Sequence, residues 1–327
     1  MFKKFNIIVF LVVLILFVSC KQEEKFQTQT QIALGTVCSI KLEESVDDSV
    51  FSNCFSILQN VEKEISRTNE ESYISILNRD KTVQVNQEVF DLFKLAISLA
   101  QLSDGKFDVA MGSVVSLWDI GGDNPRIPSK AELDSVNVDY TQIKLDEDTL
   151  TVEIPQNMQI DFGALGKGYA ADKLVEYLKS ENINKGIINL GGNVDVIGQK
   201  SDDSLWTIGL QDPNNKEEIF AALDVGDVSI VTSGTYERYF YQDGVKYHHI
   251  LDPDTLYPSD SDIISSTIIG KQSLICDCLS TTCFLLGSDR ALELLKHFDG
   301  YSGFFLLKDN SLIHSDNFDY KYQRITN

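Results

Sequence analysis

The stretch DFGALGKGYAAD, residues 161–172, sets Gly163, Gly166 and Gly168 around Lys167, between an apolar strand-like run and an amphipathic helical pattern. Small residues at such a place let backbone N–H groups close on an anion at the positive end of a helix, so the chemistry suggested is phosphate binding. Neither familiar phosphate motif fits. A P-loop would have glycine where Asp161 stands and Ser or Thr where Gly168 stands, and the glycines run G-x-x-G-x-G, the reverse of the dinucleotide fingerprint. A plain strand-to-helix turn is the alternative reading. A second constellation is Asp277 and Thr281, four apart in a segment that reads as helix, so that both oxygens project from one face. A carboxylate and a hydroxyl together suit a hard ion such as Mg²⁺, which takes few protein ligands and leaves positions for substrate phosphate; ordinary solvated or backbone-bonded side chains are the alternative. Third, YHHILDP (247–253) puts two histidines in a strand-like run. Alternation sends one to each face, so one can serve as a general base beside a cleft while the other lies on the surface. VTSGTYERYF (231–240) reads as a strand broken by a Ser-Gly turn that faces a ligand, and no G-x-S-x-G elbow surrounds Ser233.

The elements that must position these groups are readable from periodicity. QIALGTVCSIKL (31–42) reads as a strand, and Val50, Phe51, Cys54, Phe55, Leu58, Val61 and Ile65 form a helical stripe. Asn86 caps a second helix running to about Leu102 and closed by Asp104-Gly105, and Ser129 with Glu132 makes a capping-box pattern for a short third one. IKLDEDTLTVEI (143–154) reads as a hairpin. The glycine-rich loop then opens a helix with Leu174, Val175 and Leu178 on one side, followed by the strand GIINLGGNVDVIG (186–198). Residues 206–269 are mostly strand, 276–287 and 290–298 read as helices, and GFFLL belongs to a terminal hairpin. Strands come in runs rather than alternating with helices, so the fold class is α+β, mixed or antiparallel sheets with helices packed on them, one catalytic unit with room for two lobes.

The ends and the composition fix the setting. Lys3 and Lys4 precede the apolar run Ile7–Val18 and then Ser19-Cys20, a short charged region, a hydrophobic region of secretory length and a small residue before a cleavage point. A cysteine there resembles the lipobox of bacterial lipoproteins, with Phe17 where leucine is usual. The organisation expected is a lipoprotein signal peptide over 1–19, a lipidated tether over 20–30 beginning at a diacylated Cys20, and a catalytic domain over 31–327, exported and anchored on the periplasmic or outer face of a bacterial inner membrane. A formal net charge of −21 argues against nucleic acid or anionic lipid as partners. Cys38, Cys54, Cys276, Cys278 and Cys283 are an odd number without a C-x-x-C pair, and read as small buried hydrophobes.

Eight ordered motifs, LGTVCSI (34–40), ISRTNEESYISILN (65–78), SDGKFDVAMGSVVSLWDIGG (103–122), IDFGALGKGYAADKL (160–174), INLGGNVDVIG (188–198), VTSGTYERYF, YHHILDPDTLYP (247–258) and CDCLSTTCFLLG (276–287), resemble the successive motifs of the ApbE-type FAD:protein FMN transferases. The resemblance spans nearly all of residues 31–300. It implies that the phosphate is the pyrophosphate of FAD, and that FMN is attached through a phosphoester to a Thr, sometimes Ser, of a target protein with release of AMP. It implies a Mg²⁺ ion held by Asp277, Thr281 and the carbonyl of Ala164. Flavin and adenine contacts are implied at Gly35 and Thr36, at Gly163, Gly166 and Lys167, at Asn189, Gly191 and Gly192, at Ser233, Gly234 and Tyr236, and at His249 and Asp252. His249 is the candidate base, and Lys167 would neutralise the phosphates. Acceptors implied are exported flavoproteins or subunits of membrane redox complexes. Leu34, Thr68 and Leu256 stand where the family commonly has Met, an aromatic and Gly. That leaves two further readings open, a Mg²⁺-dependent FAD pyrophosphatase giving FMN and AMP, and a lipoprotein that binds FAD without turnover.

Overall fold

A computed structural model describes residues 25–200 and 202–325; Cys20 and the signal segment lie outside the described residues. The chain opens with an antiparallel hairpin, β1 (Phe26–Ala33) and β2 (Thr36–Glu43), turning at Leu34 and Gly35, both at positive φ (53° and 65°). The single strand expected over 31–42 is thus the second half of a hairpin. Residues 26–30, expected in the tether, pair with β2 from Phe26↔Glu43 to Thr30↔Ser39. Their polarity, which suggested a linker, is that of a largely exposed edge strand.

The expected stripe forms α1 (Asp48–Ile65), capped by the Asp47 carboxylate on Ser49 N–H. Next come α2 (Tyr73–Asp80), β3 (Thr82–Gln84) and α3 (Gln87–Leu102), where Asn86 Oδ1 accepts from Val89 N–H as the sequence suggests. Then follow α4 (Gly112–Trp118), α5 (Lys130–Leu133) with both halves of its capping box, and the acidic hairpin β4 (Lys144–Asp146) and β5 (Thr151–Glu153), which pairs with β3. Helix α6 (Gly166–Ser180) follows the glycine-rich loop. The next run, expected as one strand, is a hairpin of β6 (Gly186–Leu190) and β7 (Asn193–Ile197) turning at Gly191 and Gly192, φ 59° and 101°. Both turns hide in sequence because their flanks keep strand composition across a two-residue corner.

Six strands follow: β8 (Trp206–Gln211), β9 (Ile219–Val225), β10 (Val228–Gly234), β11 (Tyr239–Gln242), β12 (Val245–His248) and β13 (Ile263–Gly270). The chain ends with α7 (Ser273–Leu286), α8 (Ser288–Leu295), β14 (Ser302–Leu307), β15 (Leu312–His314) and β16 (Lys321–Arg324). Ser233 and Gly234 lie inside β10, and the break expected there falls at Thr235–Arg238 instead.

An eight-stranded sheet, ordered β1-β2-β6-β7-β10-β13-β14-β15 with every neighbour antiparallel, is the middle layer. Successive side chains go to opposite faces and build two cores. Ile197, Val231, Ile268 and Phe305 join the core formed with α1, α3, α6 and α7. Their sequence neighbours Val196, Ile230, Ile269 and Phe304 join Trp206, Leu210, Phe220 and Leu223 of the three-stranded sheet β16-β9-β8. The five described cysteines are all buried and free, in line with the hydrophobic reading. A third cluster, around Met111, Val114, Trp118 and Leu251, lies under the separate hairpin β11–β12 through Phe240 and Tyr247. Among the described residues no helix is long and apolar enough to cross a membrane.

Candidate active site

Helices α6 and α7 are held together by two reciprocal caps. At the start of α6, where Leu165 offers no side-chain cap, Gly168 N–H donates to Asp277 Oδ2 of α7 at 2.8 Å. In return Asp172 of α6 accepts from Ser273 N–H (2.7 Å) and Leu274 N–H (3.0 Å), the first turn of α7, where Gln272 offers no cap. Each carboxylate thus meets the positive end of the other helix. Gly168 permits this approach: a Cβ there would lie 2.4 Å from Ser273 O and 2.7 Å from both Leu274 Cα and Asp277 Cβ. Gly168→Ala, ordinarily favourable inside a helix, is therefore expected to destabilise the fold by about 1–3 kcal/mol through overpacking, read as a lower thermal midpoint with reduced activity. An unchanged midpoint would show that the helices can slide apart freely.

Asp277 is 2% exposed. Its Oδ1 faces Lys167 Nζ at 3.7 Å, too long for a hydrogen bond. One turn on, Thr281 Oγ1 lies 3.1 Å from Ser233 Oγ of β10, which also meets Ser280 Oγ at 2.7 Å. Asp277 and Thr281, chosen for their spacing, therefore face the loop-helix junction and the inner sheet together. Among the described residues no group of three His, Cys, Asp or Glu is placed to hold a metal. A metal here would use one carboxylate and neutral oxygens. The half-satisfied buried Asp277 oxygen, the Thr281 hydroxyl and the turn carbonyl at Ala164, one residue beyond Gly163, fit a hard divalent cation in kind and number. Gly163 N–H is held by Asp161 Oδ1 at 2.5 Å, and Asp161 Oδ2 by Arg67 Nε at 2.7 Å, which sets the loop.

Behind the caps, Asp195 of β7 is 1% exposed and accepts from Ser229 Oγ and, at 3.0 Å, from Ser273 Oγ. Burial, with Asp172 and Asp277 nearby, pushes its carboxyl up to about 7. Burial also raises Asp172 against its two N–H donors.

The second half of the site is the Thr235–Arg238 turn. His249 backbone N–H donates to Arg238 O at 3.1 Å, and His249 Nδ1 lies 3.3 Å from the same oxygen. Nε2 faces Glu237 Oε2 at 3.9 Å, and 29% of the His249 side chain is open. Desolvation, then the charges of Arg238 and Lys167, push the imidazole down to about 3, so it is neutral. Glu237 is raised by desolvation, against Lys167 and with Asp277. These couplings place Lys167, Asp277, Glu237 and His249 in one electrostatic neighbourhood. Arg238 Nη2 donates to Gly35 O at 3.3 Å, bringing the β1–β2 turn to it. Gly191 packs on Thr36, where a Cβ would lie 2.3 Å from Oγ1, and Gly192 N–H donates to Asn189 Oδ1 at 2.9 Å. Beside them Asn193 Nδ2 is buried without a hydrogen-bond partner among the described residues.

Three residues in this region also make packing and structural contacts. Both oxygens of Asp252 accept from Lys106 Nζ (2.7 and 2.8 Å), a bond that fastens the loop after His249 to the chain beyond α3. Tyr236 is buried, its ring against Gly234 and its hydroxyl 3.5 Å from Ser265 Oγ. His248, expected on the surface if His249 faces the cleft, is 7% exposed. Its Nδ1 accepts from Ile250 N–H (3.3 Å) and its Nε2–H donates to Ser259 O (3.0 Å), a neutral tautomer, and burial pushes it from 6.5 down to about 4. The unfolded chain takes that proton at 6.5 and the folded one only near 4, so stability falls as pH drops through this window, by at most about 3 kcal/mol. Urea midpoints at pH 7 and 5 should separate more for the native protein than for His248→Gln; equal separations would refute it. Asp172, Asp195, Glu237 and Arg238 were not singled out by sequence, although all four lie inside the quoted motifs.

This layered α+β fold is one that solved ApbE proteins share. The flavin transferase ApbE from Vibrio cholerae shares the fold with a TM-score of 0.79 at 24% identity, covering 90% of this chain and 98% of that one. The ApbE protein of Thermotoga maritima matches with a TM-score of 0.82 at 30% identity, over 89% of this chain and 97% of that one. The ApbE family model matches residues 34–305, and this chain belongs to the ApbE family. Relatives named FAD:protein FMN transferase include one from Treponema pallidum, 32% identical over 86% of this chain and 84% of the relative, and one from Klebsiella pneumoniae, 33% identical over 89% and 92%.

Proposed function

We propose that this chain transfers FMN from FAD to a threonine or serine hydroxyl of a target protein, forming a phosphoester and releasing AMP. Family membership and the names of its relatives support the transferase activity. The observation that carries the local reading is Asp277, buried at the start of α6 beside Lys167 with one oxygen unbonded. In the reaction the acceptor oxygen bonds to the FMN phosphorus and the P–O bond to AMP breaks. Lys167, at the first turn of α6, binds the pyrophosphate oxygens and holds them for in-line attack. The hydroxyl proton passes to Nε2 of neutral His249, if Nδ1–H donates to Arg238 O, and Glu237 then balances the imidazolium. Asp277, Thr281 and the Ala164 carbonyl would hold Mg²⁺, which when bound supplies charge neutralisation at the phosphates.

We also assign Cys20 as a lipid anchor and the membrane surface of an exported compartment as the working place, with acceptors among membrane redox subunits or exported flavoproteins. The charged, apolar and small-residue order of residues 3–20 supports this. Because β1 starts at Phe26, the tether would be at most residues 20–25.

The test mixes the protein with FAD, Mg²⁺ and an acceptor domain bearing a threonine. AMP matched by flavin fluorescence on the denatured acceptor is expected; AMP with only free FMN would instead make the enzyme a pyrophosphatase, and bound FAD without AMP a binding protein.

A further inference from the structure

The hairpin β11–β12 forms a two-stranded sheet of its own and leads straight into His249. Its inner face is settled: Phe240 and Tyr247 stack at 5.3 Å, and Tyr247 packs on Trp118 at 5.6 Å. Tyr239 and Tyr241, alternating with Phe240, stand on the opposite face, 37% and 65% exposed, with Lys246 across from Tyr241. Two lysines meet over one ring there. Lys246 Nζ lies 4.3 Å and Lys216 Nζ 5.4 Å from the Tyr239 centroid. Lys216 comes from the β8–β9 loop and Lys246 from β12, so two separate elements bring like charges together. Among the described residues neither has a carboxylate in ion-pair contact, in a chain of formal net charge −21. The ring face attracts both cations and holds them, at the cost of their mutual repulsion, with no carboxylate in contact among the described residues.

We propose that this outer face, Tyr239 and Tyr241 with Lys216 and Lys246, docks the acceptor protein through an acidic segment flanking its acceptor hydroxyl. The inference rests on the transferase reading. Its geometry follows from pairing: Tyr239 lies opposite His248, one residue from His249, and next to Arg238, which touches the β1–β2 turn. A segment lying on the hairpin therefore ends beside the base. Charge complementarity selects the occupant. An acidic acceptor is repelled by most of this surface and is steered to the place where two lysines are unpaired, an attraction felt within about 8 Å at physiological salt. The aromatic pair gives it apolar contact, Tyr239 and Tyr241 meeting edge to face at 5.7 Å.

The experiment uses the full chain in detergent with FAD and Mg²⁺ and three fluorescein-labelled peptides with one central threonine, alike except that the flanking residues are Asp/Glu, Asn/Gln or Lys/Arg. Anisotropy reads binding, and mass spectrometry of each peptide reads covalent flavin. The acidic peptide should bind at least about tenfold tighter than the neutral one, with an affinity that falls as salt rises. The double variant Lys216→Glu/Lys246→Glu should lose that preference and bind the basic peptide instead, which a misfolded hairpin would not do. Equal binding of acidic and neutral peptides by the native protein overturns the proposal, as does a loss of FAD binding in the double variant, which would give the lysines to FAD. An acidic peptide that binds yet never carries flavin leaves the docking face standing and counts against the transferase reading.

Discussion

Asp277→Ala is expected to lower AMP release at saturating FAD and Mg²⁺ by about 10²–10³-fold, the scale of losing one preorganised electrostatic group at a reacting phosphate. The size follows from what the carboxylate does in two directions. It accepts from Gly168 N–H, which keeps α7 against the start of α6, and it presents a second oxygen, buried and unbonded, next to Lys167. Removing it leaves Lys167 without its only ion-pair partner among the described residues, and leaves a helix start with no cap from α7. Asp277→Asn separates the two effects. The amide oxygen still accepts from Gly168, so the thermal midpoint should stay near the native value. The hard negative ligand is gone, so the Mg²⁺ concentration for half-maximal turnover should rise by about 10–100-fold. A metal titration on both variants is the measurement. If either variant keeps native turnover with the native Mg²⁺ requirement, the metal belongs elsewhere.

The sequence made the site legible where chemistry and periodicity coincide, and hid it where residues act through the backbone. The i,i+4 pair Asp277 and Thr281 was readable because a helix turns 3.6 residues per turn whatever surrounds it, and the glycine-rich loop because glycine has few other uses in such a pattern. Asp172 was invisible in the same motif: its role is to cap a helix 101 residues away, and only the folded chain brings Ser273 N–H to it. Glu237 and Arg238 were read as part of a strand, yet they form the turn after β10, with the Tyr236 ring packed over Gly234. Asp252, expected at the ligand, is also bound to Lys106, 146 residues earlier, a partner the motif does not reveal. The α+β class was plain from runs of strands, whereas the antiparallel order of the main sheet, with β6 and β7 inserted beside β2, depends on long-range pairing that composition does not encode. The two departures Leu34 and Leu256 adopt φ of 53° and 60°, conformations that cost a non-glycine residue about 1–2 kcal/mol. The surrounding contacts hold them there, Leu34 N–H on Glu62 Oε1 at 2.7 Å and Leu256 O on Trp118 Nε1 at 2.8 Å.

His249→Ala is expected to slow transfer to the acceptor by about 10²–10⁴-fold while leaving FAD affinity within a few fold, the signature of a lost general base rather than a lost binding contact. The pH profile carries the sharper part of the argument. In the free enzyme the imidazole is pushed down to about 3 by desolvation and by Arg238 and Lys167. kcat/KM reports the free enzyme, so between pH 5 and 8 it should show no histidine break near the ordinary value of 6.5. The two cations are the part of that depression an anionic pyrophosphate offsets, while desolvation, the larger part, stays. With FAD bound their effect on His249 weakens and Glu237, 3.9 Å from Nε2, is left to favour the proton. The sign is then upward: kcat, which reports the enzyme–substrate complex, should acquire an acid limb at a pH above that of any limb in kcat/KM, and His249→Ala should abolish it. A base that is neutral before the substrate arrives and proton-hungry afterwards takes the acceptor's proton only when there is an FMN phosphorus to attack. If the acid limb survives in His249→Ala, or if transfer falls by less than about tenfold, the proton goes elsewhere, and Glu237, raised by the same burial, becomes the group to replace next.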